Sequence, residues 1–190
     1  MSSVVIAYHS GYGHTRAVAD AVAEGAKGVA GTAVTSLDVS SIDAGGWARL
    51  ASADAIVFGA PTYMGGPSAA FKAFADASST VWFTQGWKDK LAGGFTCSGA
   101  MSGDKFSTLM YFMTLSQQHG MVWVGLGMLP AAEPGDPDEL NRLGAYAGVM
   151  AQAGNVPPDQ EPPPGDLDTA RAYGARLAGF ARRLAIGRQP

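Results

Sequence analysis

The chain has 190 residues and a formal net charge of −3, from 13 Lys and Arg against 16 Asp and Glu. That length suits one domain, and so few scattered cations leave no basic stripe for nucleic acid or for an anionic membrane surface. The single cysteine, Cys97, excludes an internal disulfide and a cysteine-rich metal site.

The first element is the apolar run "VVIAY" at 4–8, which reads as a strand buried on both faces. It leads through "SGYGHTR" at 10–16 into an amphipathic helix predicted over 15–28. A glycine-bearing turn between a buried strand and a helix is where backbone N–H groups and the helix dipole converge on an anion. The turn has Gly11 and Gly13 but Arg16 where a dinucleotide fingerprint needs its third glycine. The remaining donors, Ser10, Tyr12, Thr15 and the amides of Gly11 to Thr15, including His14, suit a phosphate monoester; an ordinary turn capped by Thr15 is the alternative. His9 and His14 straddle the turn with no third ligand, so they do not read as a metal site.

A weaker strand is expected at 33–39 and a strong one at 54–61. Past the latter, "GAPTYMGGPSAAFKAF" at 59–74 is a rigid connection carrying Pro61, Thr62, Tyr63, Met64 and Gly65, with Pro67 suited to the first turn of a helix over 67–77. A strand is predicted at 91–99 and a helix, opened by Asp104, over 104–118. Between them Ser98, Gly99, Ser102 and Gly103 leave amides open, with Ala100 and Met101 in the same loop; such amides stabilise charge on a reduced heterocycle. A phosphatase cradle built on Cys97 fails, because Gly103 stands where its arginine belongs, and Cys97 reads as a small buried hydrophobe.

The run "MVWVGLG" at 121–127 completes five expected strands. An arm at about 128–166 holds eight of the eleven prolines, with "DELNRLGAYAGVM" suited to a short turn of helix. The last helix, about 167–185, is amphipathic, with Leu167, Tyr173, Leu177 and Phe180 on its apolar face. Alternating strands and helices imply a doubly wound parallel sheet whose ligands sit at the carboxyl ends of the strands. The hydroxyl-rich loop, the aromatic loop and the glycine-rich loop together outline a phosphate at one end and a flat ring at the other, which FMN matches.

"SGYGHTRAVADAVAEGA" at 10–26, "DAIVFGAPTYMGGPSAAFKAFAD" at 54–76, "SGAMSGDK" at 98–105, "QQHGMVWVGLG" at 117–127 and "NRLGAYAG" at 141–148 resemble the flavodoxin-like NAD(P)H:quinone oxidoreductases of the WrbA type. The resemblance implies a single α/β flavodoxin-like domain over 1–190, with a five-stranded parallel sheet of order 2-1-3-4-5 and helices on both faces. It implies FMN phosphate at Ser10, Gly11, Tyr12, Gly13, His14 and Thr15, and the ring against Pro61, Thr62, Tyr63, Met64 and Gly65. The pyrimidine side would face Ser98, Gly99, Ala100, Met101, Ser102 and Gly103, with His119 beside the ring as the catalytic candidate. Tyr12 and Trp82 would meet substrate, Trp82 across a subunit contact in a homotetramer or dimer. NAD(P)H is the implied reductant and a quinone the acceptor, in a cytoplasmic enzyme. A one-electron flavodoxin shuttle and an FMN reductase releasing reduced flavin remain as alternatives. Two departures from the family pattern stand out: Ala100-Met101, which bears on pocket tightness and flavin affinity, and Tyr63-Met64, which leaves open the substrate preference and the choice of NADH or NADPH.

Overall fold

The computed structural model describes residues 1–187. Strand β1 (Ser2–Tyr8) is followed by helix α1 (His14–Lys27), then β2 (Thr32–Asp38), α2 (Ala44–Ser52) and β3 (Ala55–Tyr63). The two-residue β4 (Gly66–Pro67) precedes α3 (Ala69–Ala77), the short α4 (Ser79–Phe83), β5 (Leu91–Ser98) and α5 (Lys105–Gln118). Two further strands, β6 (Val122–Trp123) and β7 (Val149–Gln152), lead to the terminal α6 (Pro164–Gly187).

The strands run in the order β2-β1-β3-β5-β6, with β4 antiparallel to β3 and β7 parallel to β5. The five principal positions follow the expected doubly wound order, but the sheet has seven strands, not five. The fifth position is split. β6 pairs with Leu91 and Ala92 of β5, the chain leaves the sheet, and β7 returns to pair with Phe95 to Ser98. "MVWVGLG" is therefore strand at Val122 and Trp123 only, because the later half of that edge is taken by Val149 to Gln152.

Both ends of the excursion are tied down. The Tyr173 hydroxyl donates to the Val124 carbonyl and accepts from the Gly94 amide, and Trp123 Nε1 donates to the Ala147 carbonyl at 2.8 Å. Within it, buried Asn141 adopts positive φ and bridges both ways to Ala145, Nδ2 donating to its carbonyl at 3.0 Å and Oδ1 accepting from its amide at 2.8 Å. The expected helical turn at 138–150 is thus a set of turns followed by a strand, since Asn141 directs its bonds across the loop instead of along a helix.

Each face of the sheet carries its own core, as alternation in the strands requires. Val4 and Ile6 point to the side covered by α1 and α6, where Val18, Val22, Tyr173 and Leu177 are buried. Val5, Ala7, Ile56 and Phe58 point to the other, with Leu50, Phe71, Phe74, Trp87 and Phe112. Each large apolar side chain buried in this way contributes roughly 1.5–3 kcal/mol. Helices α1 and α6 approach so closely that a Cβ at Gly174 would overlap the Val22 carbonyl. α2 was not expected from the sequence; Asp43 caps it, accepting from the Gly46 amide at 2.7 Å, although Gly45 and Gly46 disguise its first turn. Pro67 lies in β4, so α3 begins two residues later than expected. Among the described residues no helix is long and apolar enough to cross a membrane.

Candidate functional site

The loops after β1, β3 and β5 converge at the carboxyl edge of the sheet. They meet a fourth, the turn after β7, around a cavity of about 400 Å³ lined by Tyr12, His14, Thr15, Pro61, Tyr63, Cys97, Ser98, Gly99 and residues 153–156. This is the low end of the volume range of small-molecule sites.

The phosphate-side wall is the start of α1. Gly13, at φ 97°, is its N-cap residue, and no side chain caps the helix. Thr15 is buried in the first turn and does not cap it, contrary to the simpler reading of this loop. Ser10 Oγ accepts from the amides of Gly13 at 3.1 Å and Arg16 at 3.2 Å, folding the loop back on itself. The amides of Gly11, Tyr12, His14 and Thr15 have no acceptor among the described residues. An uncapped helix end with several open amides is a ready anion site.

The second wall is aromatic. Tyr63 lies edge-on to Tyr12 with ring centroids 6.5 Å apart, and its hydroxyl rests against Gly11, where a Cβ would come within 2.6 Å of it. Met64, at φ 49°, is wholly exposed at the tip beside Gly65. The buried Thr62 side chain turns inward, Oγ1 lying 2.7 Å from Thr96 Oγ1 and 2.8 Å from Thr108 Oγ1.

The third wall is the loop after β5. The carbonyls of Ser98, Gly99 and Ala100 accept from the Ala153 amide, Gln152 Nε2 and Lys105 Nζ, all beneath the loop. The amides of residues 99–103 have no acceptor among the described residues. Ser98 Oγ is buried without a partner at the cavity lining. Desolvation pushes the Cys97 thiol up to about 12, so it stays protonated and unreactive, as the sequence suggested. Ser102 and Gly103 sit apart, against Phe106 and Tyr146 in a smaller cavity, and Ala100 and Met101 lie exposed on the rim.

Residues 153–156 were absent from the expected site. β7 hid among prolines and glycines, and only recognition of "GVMAQ" as a strand in register with β5 would have placed the following "AGNV" at a carboxyl end. This turn is bound to the phosphate loop: His14 Nε2 lies 2.8 Å from the Val156 carbonyl, and a Cβ on Gly13 would approach Pro158 Cγ to 2.8 Å.

His119 does not line this cavity within one chain. It caps the far end of α5, about 21 Å along the helix from the loop after β5 at 1.5 Å per residue. There it is buried, Nε2 2.9 Å from Ser78 Oγ and the ring 4.4 Å from Trp87, with Nδ1 unpartnered. Burial lowers its pKa, leaving the imidazole neutral near pH 7. Trp82 shares with it a second cavity of about 470 Å³, lined also by Lys72, Asp76, Phe83 and Tyr111. The structure thus brings together Tyr12 to Thr15, Pro61, Tyr63, Ser98 and Gly99, and separates from them Trp82 and His119, which are neighbours of each other.

Residues 47–133 match the family model described as NADPH-dependent FMN reductase. The chain is 43% identical to "Flavodoxin FldP" of Pseudomonas aeruginosa, over 97% of this chain and 99% of that one. It is 32% identical to an "NAD(P)H dehydrogenase (quinone)" of Geotalea uraniireducens, over 96% and 98% of the two chains. Among solved structures, a "flavodoxin, WrbA-like protein" from Agrobacterium tumefaciens superposes with a TM-score of 0.76 at 46% identity, covering 96% of this chain and 99% of that one.

Proposed function

The chain belongs to the WrbA-type, flavodoxin-like family of quinone oxidoreductases, and from that premise we propose that it is an FMN enzyme that accepts a hydride from NAD(P)H and passes two electrons to a quinone. One observation carries the assignment of the site. The uncapped start of α1, with four open amides, faces the same cavity as Tyr63 and the partnerless Ser98 hydroxyl. An anion holder and a polar-edged aromatic slot in one cleft fit a ring bearing a single phosphate.

When bound, FMN supplies the hydride acceptor and two-electron carrier; the protein supplies orientation, fixed dipoles and exclusion of water. The open amides of Gly11, Tyr12, His14 and Thr15 would hold the phosphate dianion. Pro61, the Thr62 backbone, Tyr63, Met64 and Gly65 flank the ring. The open amide of Gly99 and the Ser98 hydroxyl, both at the cavity lining, would meet its polar edge, where charge accumulates, with Ala100 and Met101 on the rim. Tyr12, 79% exposed above the cleft, is placed to touch an incoming nicotinamide nucleotide.

Trp82 and His119 enter this scheme only through a second copy of the chain, whose α3–α5 face would bring the second cavity over the first. We infer a homodimer or homotetramer on that ground. The neutral His119 would then hydrogen-bond to the quinone oxygen across that contact.

The test uses one cuvette. The purified protein is titrated with FMN, reduced anaerobically with NADPH and then mixed with benzoquinone. Binding, bleaching of the flavin band and its return on quinone addition are expected. Tight binding with no bleaching by NADPH or NADH would instead support the electron-shuttle reading that the relative named as a flavodoxin suggests.

A further inference from the structure

Beneath the loop after β5 lies a group of charges that the reaction above does not use. Lys105, the first residue of α5, is fully buried, and its ammonium donates to the Ala100 carbonyl. Beside it Arg142, from the excursion between β6 and β7, forms a two-pronged pair with Asp166 of α6, Nε to Oδ1 at 2.8 Å and Nη2 to Oδ2 at 3.0 Å. Gln152 of β7 joins the two layers. Its side-chain oxygen accepts from Arg142 Nη2 at 3.1 Å, its side-chain nitrogen donates to the Gly99 carbonyl at 3.2 Å, and its amide donates to Asp166 at 2.8 Å.

Two cations face one anion here. The charged and titratable groups acting on Lys105 are Asp166 and Arg142, Cys97 from β5 and its neighbour Asp104. Cys97 is a neutral thiol, Asp104 is exposed and screened by water, and Arg142 is matched by Asp166. One buried positive charge is left over, at Lys105. Burying an ammonium is costly and lowers the Lys105 pKa from its ordinary value, and the Ala100 carbonyl is a weak return unless a further negative charge arises nearby.

We infer that Lys105 is a positioning residue for the cofactor, anchoring the loop after β5 through the Ala100 carbonyl and stabilising the negative charge that the ring holds once reduced. The inference rests on the FMN reading given above. In that reading the hydride leaves the nicotinamide with its electron pair, giving NAD(P)⁺ and a reduced ring that has gained one hydrogen and one negative charge. No other reactant is needed. A buried cation bonded to the Ala100 carbonyl of that loop favours that product over the neutral oxidised ring.

The experiment compares wild type with Lys105→Met and Lys105→Gln, measuring the oxidised FMN Kd by titration and the two-electron midpoint potential by dye equilibration. The potential reports the ratio of reduced to oxidised affinity. That ratio is expected to fall on the order of tenfold in both variants, which is about 30 mV toward harder reduction. Gln retains a donor for Ala100 but no charge. A Lys105→Gln protein with the wild-type potential would assign the effect to loop geometry and overturn the electrostatic role, as would an unchanged potential in both.

Should neither variant fold, the wild-type potential decides. From about pH 5.5 to about pH 7.5 it is expected to shift by one proton per two electrons, about 30 mV per pH unit. A slope of two protons would mean a neutral reduced ring and would overturn the inference. Failure of wild type to bind FMN, seen before any reduction, would instead overturn the cofactor reading and this inference with it.

Discussion

Replacing Arg142 by Met breaks the most deeply buried ion pair described. The side chains of Arg142 and Asp166 are only 4% and 2% exposed, so neither can turn to water when its partner is lost. The Asp166 carboxylate keeps the Gln152 amide and the nearby Lys105 charge but loses two charge-assisted bonds. Stranding one partner of a buried pair costs about 3–5 kcal/mol, and Met fills most of the arginine stem, so little of that is cavity. The pH dependence follows from Asp166. Burial outweighs the Arg142 bond and raises its pKa even in the native protein, and removing Arg142 raises it further. A carboxyl whose folded pKa exceeds its unfolded value binds the proton more tightly when folded, so stability falls as pH rises between the two. The cost of Arg142→Met is therefore expected to be larger at pH near 7.5 than near 5, because the raised pKa lets proton binding relieve the stranded carboxyl as pH falls. Urea unfolding at the two pH values reads both quantities. A loss under about 1 kcal/mol near pH 7.5, or an equal loss at both pH values, would refute the account.

Ser98→Ala removes a hydroxyl that satisfies nothing in the protein, so the unfolding midpoint should hardly move while oxidised FMN binds about 2- to 10-fold more weakly, the worth of one hydrogen bond; an unchanged Kd would place that hydroxyl outside the site. Gly13→Ala forces a left-handed backbone on a side chain and drives its Cβ into Pro158, so we expect a destabilisation of at least about 1–2 kcal/mol in thermal unfolding together with weakened FMN titration. Gly174→Val should be far worse, since the added carbons overlap the Val22 carbonyl and must part α1 from α6; a soluble variant with a wild-type melting curve would contradict the packing. His119 is held neutral by burial, so its contribution is present above its ordinary value of 6.5 and is lost as pH falls below it; His119→Asn should narrow the gap in urea midpoint between about pH 7.5 and pH 5.5.

Most of the layout was legible because period and punctuation agreed. β1, β3 and β5 are apolar runs closed by turn residues, and each is found within a few residues of its expected bounds. The first loop was legible for the same reason, since glycine and hydroxyl residues between a strand and a helix have few other uses. Where reading failed, a local signal was overridden from a distance. α2 was missed because two glycines weakened a helix that Asp43 starts by capping. The later half of "MVWVGLG" leaves the sheet because Val149 to Gln152 fill its place beside β5, a competition between segments about 25 residues apart that no window can register. The separation of His119 from the first cavity was hidden for a simpler reason. Proximity in a motif does not say which end of α5 a residue occupies, and a partner chain is invisible in a single sequence.

The split fifth strand also bears on how the molecule avoids the wrong company. A sheet edge made of one long strand offers a row of unpaired N–H and C=O groups on which any extended chain can crystallise into a ladder. Here that border is shared by a two-residue and a four-residue strand, with a bonded loop standing out between them. No foreign strand finds a register longer than a few residues along it. Association at this side is thereby steered away from backbone pairing and left to side-chain surfaces, which discriminate between partners.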